Sequence, residues 1–158
     1  GMIMGSAARA AEPKALGRNG AWESYEYREA GQHVCYMISS PKTKGEDEGK
    51  TSGAAFVFVT HRPASRQFDE VTLDLGAPFK TGSTLTLSIG PSAFSLSTDK
   101  NRAWAENAQQ DKQMVAAMKN GDTMVVKART GNDGKQVEKR FSLKGFTATY
   151  RLISDACS

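Results

Sequence analysis

Residues 22–39, WESYEYREAGQHVCYMIS, decide the fold, because they contain two strand-like runs on either side of a turn. Within Trp22–Glu29, Tyr25 and Tyr27 alternate with the polar Glu26 and Arg28, which is the pattern of a strand. His33–Ser39 has the same character, and it follows Ala30-Gly31, where glycine permits the positive φ of a tight turn. The stretch therefore predicts a β-hairpin.

The same strand pattern recurs along the chain at intervals of about ten residues. Residues 54–60 are a more continuous apolar run, which predicts a central strand covered on both faces. Asn132-Asp133-Gly134 is the strongest hairpin signal, because all three residues tolerate positive φ. Further strands are predicted around Val71–Leu75, Leu85–Ile89, Phe94–Leu96, Met124–Arg129, Val137–Leu143 and Phe146–Leu152.

One segment, residues 111–120, has the pattern of a short helix. Asp111 can accept the free amides of its first turn, and Gly121 can end it in a left-handed conformation. Eight or nine strands with one helix predict an all-β protein, a two-layer β-sandwich. We expect residues 21–158 to form a single domain, because no internal repeat or linker divides them.

The charge of the chain is mildly positive, with 21 Lys and Arg against 17 Asp and Glu in 158 residues. Dedicated nucleic-acid binders are far more basic, so we predict no nucleic-acid partner. Lys127 and Arg129 share a strand face, and we interpret them as part of a solvated outer face rather than a nucleic-acid or lipid site. No run approaches the roughly 18 apolar residues of a membrane helix, so the protein is not expected to span a membrane.

Residues 1–20 are predicted to be an N-terminal tail. Ala8 and Ala10 have the spacing that a signal peptidase accepts, but Met2–Met4 is too short for the apolar part of a signal peptide. The segment is therefore either a frayed alanine-rich tail or the remnant of an export signal. If the protein forms an oligomer, we expect this tail to mediate it.

The two cysteines, Cys35 and Cys157, lie near opposite ends of the chain, so they do not form a Cys-x-x-Cys redox motif. They are either two unrelated buried thiols or one long-range disulfide. The disulfide is the favoured interpretation if the protein is exported, since disulfides persist in oxidising compartments.

His61, Arg62 and Trp104 are the candidate interaction residues. His61 follows a strand and could act as a base or ligand, with Arg62 binding an anion. Alternatively, His61 caps the carbonyl groups at a strand end, because no second histidine or thiol accompanies it. Trp104 either packs in the core or stacks on a sugar.

No motif indicates a catalytic, metal or cofactor site. Two histidines and two cysteines are too few for most zinc sites. Residues 45–51, GEDEGKT, superficially resemble a phosphate-binding loop, but the glycine spacing is wrong and three acidic side chains would repel phosphate. We therefore predict no cofactor, no metal ion and no catalytic residue.

Several segments of the chain are recognisable together, in a fixed order. They are Val34–Lys42, Val59–Pro63, Phe94–Asp99, Ala103–Ala105, Met118–Val126, Phe141–Tyr150 and Ala156–Cys157. In this order they resemble the invasion-associated locus B family over about residue 22 to the C-terminus. The resemblance includes the surroundings of both cysteines, while the turns at 98–101 and 132–134 depart from the family pattern.

The resemblance implies an exported, periplasmic or secreted β-sandwich of immunoglobulin-like type, in which Cys35 and Cys157 form the disulfide of the family. The family is named for a role in host-cell invasion, and it provides no catalytic residues to transfer to this chain. We therefore expect a non-enzymatic protein that interacts with an envelope component or another protein. The alternatives are a periplasmic module that binds a small ligand or glycan, and a hydrolase centred on His61.

Overall fold

A computed structural model describes residues 12–42 and 55–158 of the chain. Three predictions concern residues outside these ranges. They are the signal-peptide pattern at Ala8 and Ala10, the oligomer contact of the tail as far as it involves residues 1–11, and the pattern at 45–51 that resembles a phosphate-binding loop. Every structural statement below refers to the described ranges.

Ten strands form one antiparallel sheet, in the order β1-β2-β3-β4-β5-β8-β7-β6-β9-β10. The mostly-β class predicted from the sequence is thereby confirmed. The strands are β1 (Lys14–Asn19), β2 (Trp22–Glu29), β3 (Gln32–Ser39), β4 (Phe56–Arg62), β5 (Gln67–Asp74), β6 (Thr84–Ile89), β7 (Ser92–Asp99), β8 (Arg102–Trp104), β9 (Thr123–Thr130) and β10 (Lys135–Ser142). The α-helices are α1 (Ala108–Asn120) and α2 (Phe146–Ala156), and a short 3-10 helix, Pro63–Ser65, lies between β4 and β5.

The two ends of the sheet approach each other. The indole N–H of Trp22 donates to the carbonyl of Ser142 at 3.0 Å, and the backbone N–H of Lys42 donates to Arg140 O at 2.7 Å. Because strands from opposite ends of the order are joined in this way, the sheet curls and its halves enclose one core, as the two layers of a sandwich do. The two layers therefore belong to one continuous sheet.

The first strand was missed from the sequence. Lys14–Asn19 falls in the predicted 1–20 tail, but it forms β1 and pairs with β2. The turn after it meets the start of α2, where the Ala21 N–H donates to Lys144 O at 3.0 Å. Gly20 and Gly145 both have positive φ, and a Cβ at Gly20 would lie 2.3 Å from Lys144 O. Side chains would therefore prevent this close approach.

The segment predicted as a last strand, Phe146–Leu152, is the first part of helix α2. Phe146, Thr149 and Ile153 are buried on one helix face. This is the spacing of a helix, whereas the aromatic and β-branched residues of the segment favour a strand. Contacts with β1, β2 and β3 outweigh that local preference.

The predicted helix at 111–120 exists, but it starts earlier, and Gly121 ends it in an extended conformation rather than the predicted left-handed one. Asn107 is the N-cap, and its side chain accepts the Gln110 N–H at 2.9 Å. Asp111, the predicted cap, instead accepts the Val71 N–H at 3.0 Å and so joins α1 to β5. Burial raises the pKa of Asp111 to about 6, and Glu70 and Asp69 add to this effect, although the Val71 N–H opposes it.

We expect Asp111→Asn to leave stability at pH 7 unchanged or higher, because the amide oxygen can still accept the Val71 N–H. The folded state holds the Asp111 proton more tightly than the unfolded state, so the wild type gains stability as pH falls from about 6 to about 4. The variant lacks this gain, which we put at about 1–2 kcal/mol after solvent screening. Urea unfolding of both proteins at pH 7 and pH 4 measures the difference. An identical pH dependence in the two proteins would contradict this account of Asp111.

None of the described helices is both long and apolar enough to cross a membrane.

Candidate functional site

Cys35 and Cys157 form a disulfide, with their Cα atoms 6.0 Å apart. Cys35 lies in β3 and Cys157 directly follows α2, so the bond attaches the end of this helix to the sheet. Both residues are almost completely buried. The structure thus has the pairing that the family resemblance implies.

His61 faces the interior, in phase with the buried Val57 and Val59, and lies opposite a β-bulge in β5. The β4–β5 register pairs Thr60 with Glu70 and Arg62 with Gln67, so His61 faces two residues of β5, Phe68 and Asp69. Asp69 has a φ of 65°, which is rare for a residue with a side chain. This conformation accompanies a hydrogen bond from the Asp69 backbone N–H to His61 Nδ1 at 3.1 Å.

His61, Asp69, Tyr150 and Ser154 form a polar cluster between the sheet and α2, in which His61 and Asp69 are buried and Tyr150 and Ser154 are partly exposed. His61 Nε2 lies 3.1 Å from the Ser154 hydroxyl oxygen, and the Tyr150 hydroxyl donates to the Asp69 carboxylate. Burial raises the pKa of Tyr150, and its hydrogen bond to Asp69 raises it further. His61 is 2% exposed, and this burial lowers its pKa despite the nearby Asp69 carboxylate.

The hydrogen bonds of this cluster fix the tautomer of His61. Nδ1 accepts the Asp69 N–H, so in the neutral ring the proton is on Nε2, which donates to Ser154. A general base needs the reverse arrangement, in which the imidazole accepts the serine proton. His61 therefore caps a backbone amide and does not activate Ser154. One interpretation of the sequence was that His61 caps the carbonyl groups at a strand end, so the capped group is different.

Arg62, the next residue, points to the opposite face of the sheet. Its guanidinium group lies 2.5 Å from Glu29 Oε1 and 3.3 Å from Glu70 Oε1. The sequence grouped His61 and Arg62 as one candidate site, but the structure separates them. Arg62 instead borders a group of aromatic side chains on the outside of the sheet.

The outer aromatic face consists of partly exposed rings from β2, β3 and β4, with Tyr36 at its centre. The Tyr36 ring lies 5.4 Å from Tyr25, 5.9 Å from Tyr27 and 6.2 Å from Phe58, and Phe58 lies 6.3 Å from Phe56. Aromatic side chains of this kind are enriched at protein interfaces and in sugar-binding sites.

Trp104 extends this face on the side of β8. It pairs across the strands with Thr72, which in turn pairs with Phe58. Its exposed fraction is 39%, the largest of the large hydrophobic residues described. The other tryptophan, Trp22, is fully buried in the core. Trp104 is therefore a surface residue, as the interaction hypothesis requires.

Two shallow cavities flank Tyr36. One, of about 310 Å³, is lined by Tyr27, Tyr36, Phe58 and Arg62 together with Pro13, Thr60, Thr72 and Arg102. The other, of about 520 Å³, lies on the side of Tyr25 and Phe56. The rings thus border recesses that a side chain or a small polar ligand can enter.

The sequence contained a signal for this face that was misinterpreted. Tyr25 and Tyr27, and likewise Phe56 and Phe58, are two positions apart and so share a strand face. The run at 54–60 predicted a strand covered on both sides. In the structure Ala55, Val57 and Val59 are buried on the core side, while Phe56 and Phe58 on the other face are partly exposed.

The group of side chains nearest to a metal-binding arrangement is His33, Cys35 and Cys157. Their potential ligand atoms lie within 4.8 Å of one another. Sulfur binds metal ions as a thiolate, and both sulfur atoms are joined in the disulfide. His33 is instead 2.6 Å from Glu26 Oε1.

A family model described as "Invasion associated locus B (IalB) protein" matches residues 22–154. The fold is similar to the crystal structure of invasion associated protein b from Bartonella henselae, with a TM-score of 0.66 and 15% sequence identity. The similarity covers 92% of this chain and 97% of that chain. No curated protein sequence matches the chain.

Proposed function

Because the chain belongs to the invasion associated locus B family, we propose that it is an exported, non-enzymatic protein that binds a protein or another envelope component. We place it in the periplasm or outside the cell. The outer aromatic face is the proposed contact surface. The proposal rests on this face. Five neighbouring rings and an exposed tryptophan lie together on one side of the sheet, outside the core, and an exposed apolar patch of this kind marks an interaction site.

The arrangement around this face resembles the anatomy of a protein interface. Tyr, Trp and Phe are common at the centre of interfaces, and charged residues form a polar rim. Arg62, Glu29 and Glu70 form ion pairs at one border, and Arg18 pairs with Glu23 at another. The paired charges hold the rim in place and discriminate between partners.

The polar interior also supports a non-enzymatic role. His61 donates to Ser154 and accepts from a backbone amide, so its hydrogen-bonding capacity is used within the fold. The cluster connects α2 to β4 and β5, which is a structural task. The proposed hydrolase would need the same ring in a cleft open to substrate.

The alternative of a glycan-binding module has one specific observation in its favour. The cavity of about 310 Å³ combines rings from Tyr27, Tyr36 and Phe58 with the hydrogen-bonding groups of Thr60 and Arg62. Sugars bind to such combinations by stacking on rings and by polar contacts. The two candidates use the same face but differ in the size of the contact.

We expect Tyr36→Glu and Trp104→Glu each to weaken binding of the partner about tenfold or more, because interface hot spots concentrate in central aromatic residues. The measurement is quantitative capture from an envelope extract on immobilised protein. Ala148→Glu is the matched control, because it adds the same charge at an exposed position of α2, away from the outer aromatic face. Circular dichroism melting confirms that each variant is folded.

The outcomes separate the two candidates. Loss of a captured protein in both face variants, with capture retained by Ala148→Glu, supports the proposal. Equal capture by all proteins contradicts it. If instead a soluble oligosaccharide shifts the NMR signals of the Tyr27 and Tyr36 rings while no protein depends on them, the glycan-binding alternative replaces it.

A further inference from the structure

A second surface, which shares no residue with the outer aromatic face, has an unusual charge composition. An open depression of about 620 Å³ lies between β6, β9 and the loop before β6. We call it the basic depression. Its lining includes Lys80, Lys127 and Arg129 but no acidic residue among those described. Hydroxyl and amide side chains complete it, contributed by Thr81, Ser83, Thr84, Thr86 and Gln136.

The strand register brings these groups together on one face of the sheet. Thr86 pairs with Lys127, and Arg129 pairs with Gln136. Lys127 and Arg129 are two positions apart, so their side chains leave the same face. The Lys80 N–H donates to Arg129 O at 2.9 Å, which attaches the loop carrying Lys80 to the same strand.

Several contacts restrain Arg129 and the loop that carries Lys80 before any ligand arrives. Arg129 Nη1 donates to the carbonyl of Gly134 at 3.2 Å, which fixes the guanidinium group through one of its nitrogens. The stem of Lys80 passes beside Gly134, where an added Cβ would lie 3.0 Å from Lys80 Cδ. The Ser83 hydroxyl donates to Lys80 O at 2.6 Å and closes the loop. Such preorganisation reduces the entropic cost of binding.

Among the described residues, the cationic side chains of the basic depression have no acidic partner at ion-pair distance. None of the described acidic residues forms an ion pair with Lys80, Lys127 or Arg129. Glu138, the acidic residue opposite Lys127, lies 3.5 Å from Arg140. Three cations surrounded by hydroxyl groups are a chemical match for the oxygens of phosphate groups.

We propose that the basic depression binds a small ligand or headgroup that carries phosphate groups. This goes beyond the solvated surface inferred for Lys127 and Arg129 from the sequence. The lining contains no aromatic ring on which a nucleotide base could stack, which disfavours single-stranded nucleic acid. The site does not depend on the proposed function, because it shares no residue with the outer aromatic face.

The test is isothermal titration of the full chain with inorganic pyrophosphate at low ionic strength. We expect Lys127→Gln with Arg129→Gln to weaken binding about tenfold or more, since each charge-assisted hydrogen bond contributes roughly 1.5–3 kcal/mol. The matched control is Lys144→Gln with Arg151→Gln, which removes the same charge at exposed positions beyond the opposite end of β10 and on α2. Melting curves verify that both double variants are folded.

A second arm distinguishes the source of the phosphate. The same proteins are sedimented with phosphatidylcholine vesicles, with and without phosphatidic acid. If only the Lys127/Arg129 variant loses pyrophosphate binding, the result supports a soluble phosphate ligand. If only that variant loses binding to the phosphatidic acid vesicles, the result supports a lipid headgroup. Equal weakening in both double variants, no binding in either arm, or tighter binding of a single-stranded oligonucleotide would overturn the proposal.

Discussion

Replacing both cysteines, Cys35→Ala with Cys157→Ala, should lower the free energy of unfolding by about 4 kcal/mol. The bond joins residues separated by 122 positions, so it removes a large part of the conformational freedom of the unfolded chain. It also holds the C-terminal end of α2 against β3. Urea denaturation of the oxidised wild type and of the variant measures the loss.

Two controls assign this loss to the disulfide. The wild type in reducing buffer should match the double variant within about 1 kcal/mol, and the reductant should not affect the variant. Thiol titration of the denatured, unreduced wild type should find no free thiol. A loss below about 1 kcal/mol, or two reactive thiols in the oxidised protein, would show that the pair does not stabilise the fold in this way.

His61→Ala should lower the free energy of unfolding by about 3 kcal/mol. The substitution leaves a cavity in a fully buried region, and it removes the hydrogen-bond partners of the Asp69 N–H and the Ser154 hydroxyl. The matched control is His33→Ala, since that side chain is 29% exposed and should cost less than about 1 kcal/mol. Similar losses for the two histidines would contradict the structural role of His61.

The contribution of His61 should also depend on pH. Burial holds the pKa of His61 below 6.5, while the unfolded chain titrates near that value. The unfolded state therefore binds more protons, and the stability from His61 is lost as pH falls below about 6.5. His61→Ala should lack this component, so the difference between wild type and variant should shrink on acidification. A difference that is constant from pH 7.5 to pH 5 would contradict the buried neutral ring.

The strands could be predicted because their turns are marked by local chemistry. Ala30 and Gly31 have φ values of 51° and 78°, which is the conformation that the sequence predicted for this hairpin. In the turn before β10, Gly134 has the positive φ that the sequence predicted, but Asn132 and Asp133 do not, and the other positive φ is at Gly131. Local residue types determine such turns, so no distant contact is needed to foresee them.

Helix α2 could not be predicted in the same way, because its stability comes from distant contacts. Its aromatic and β-branched residues favour a strand, yet Phe146 packs at 4.9 Å against Trp22 and Cys157 is bonded to Cys35. Both partners are more than 100 positions away. The helical spacing of its apolar residues was the available signal for a helix, but the high β propensity of the same residues favoured a strand.

The candidate site was only partly foreseeable for a related reason. The opposite directions of His61 and Arg62 follow from the alternation of a strand. The environment of His61 could not be predicted from this alternation, because Tyr150 and Ser154 come from a helix that was not predicted from the sequence. The bulge at Phe68 and Asp69 carries no glycine to announce it.

The most direct test of the proposed interaction role is photo-crosslinking in intact cells at Trp104, which is 39% exposed beside the outer aromatic face. A photoreactive phenylalanine analogue is introduced there and, in a matched strain, at Ala148 on α2. The account predicts one discrete crosslinked species from position 104 that Tyr36→Glu abolishes and that position 148 does not give. The same species from both positions, or none from position 104, would contradict it.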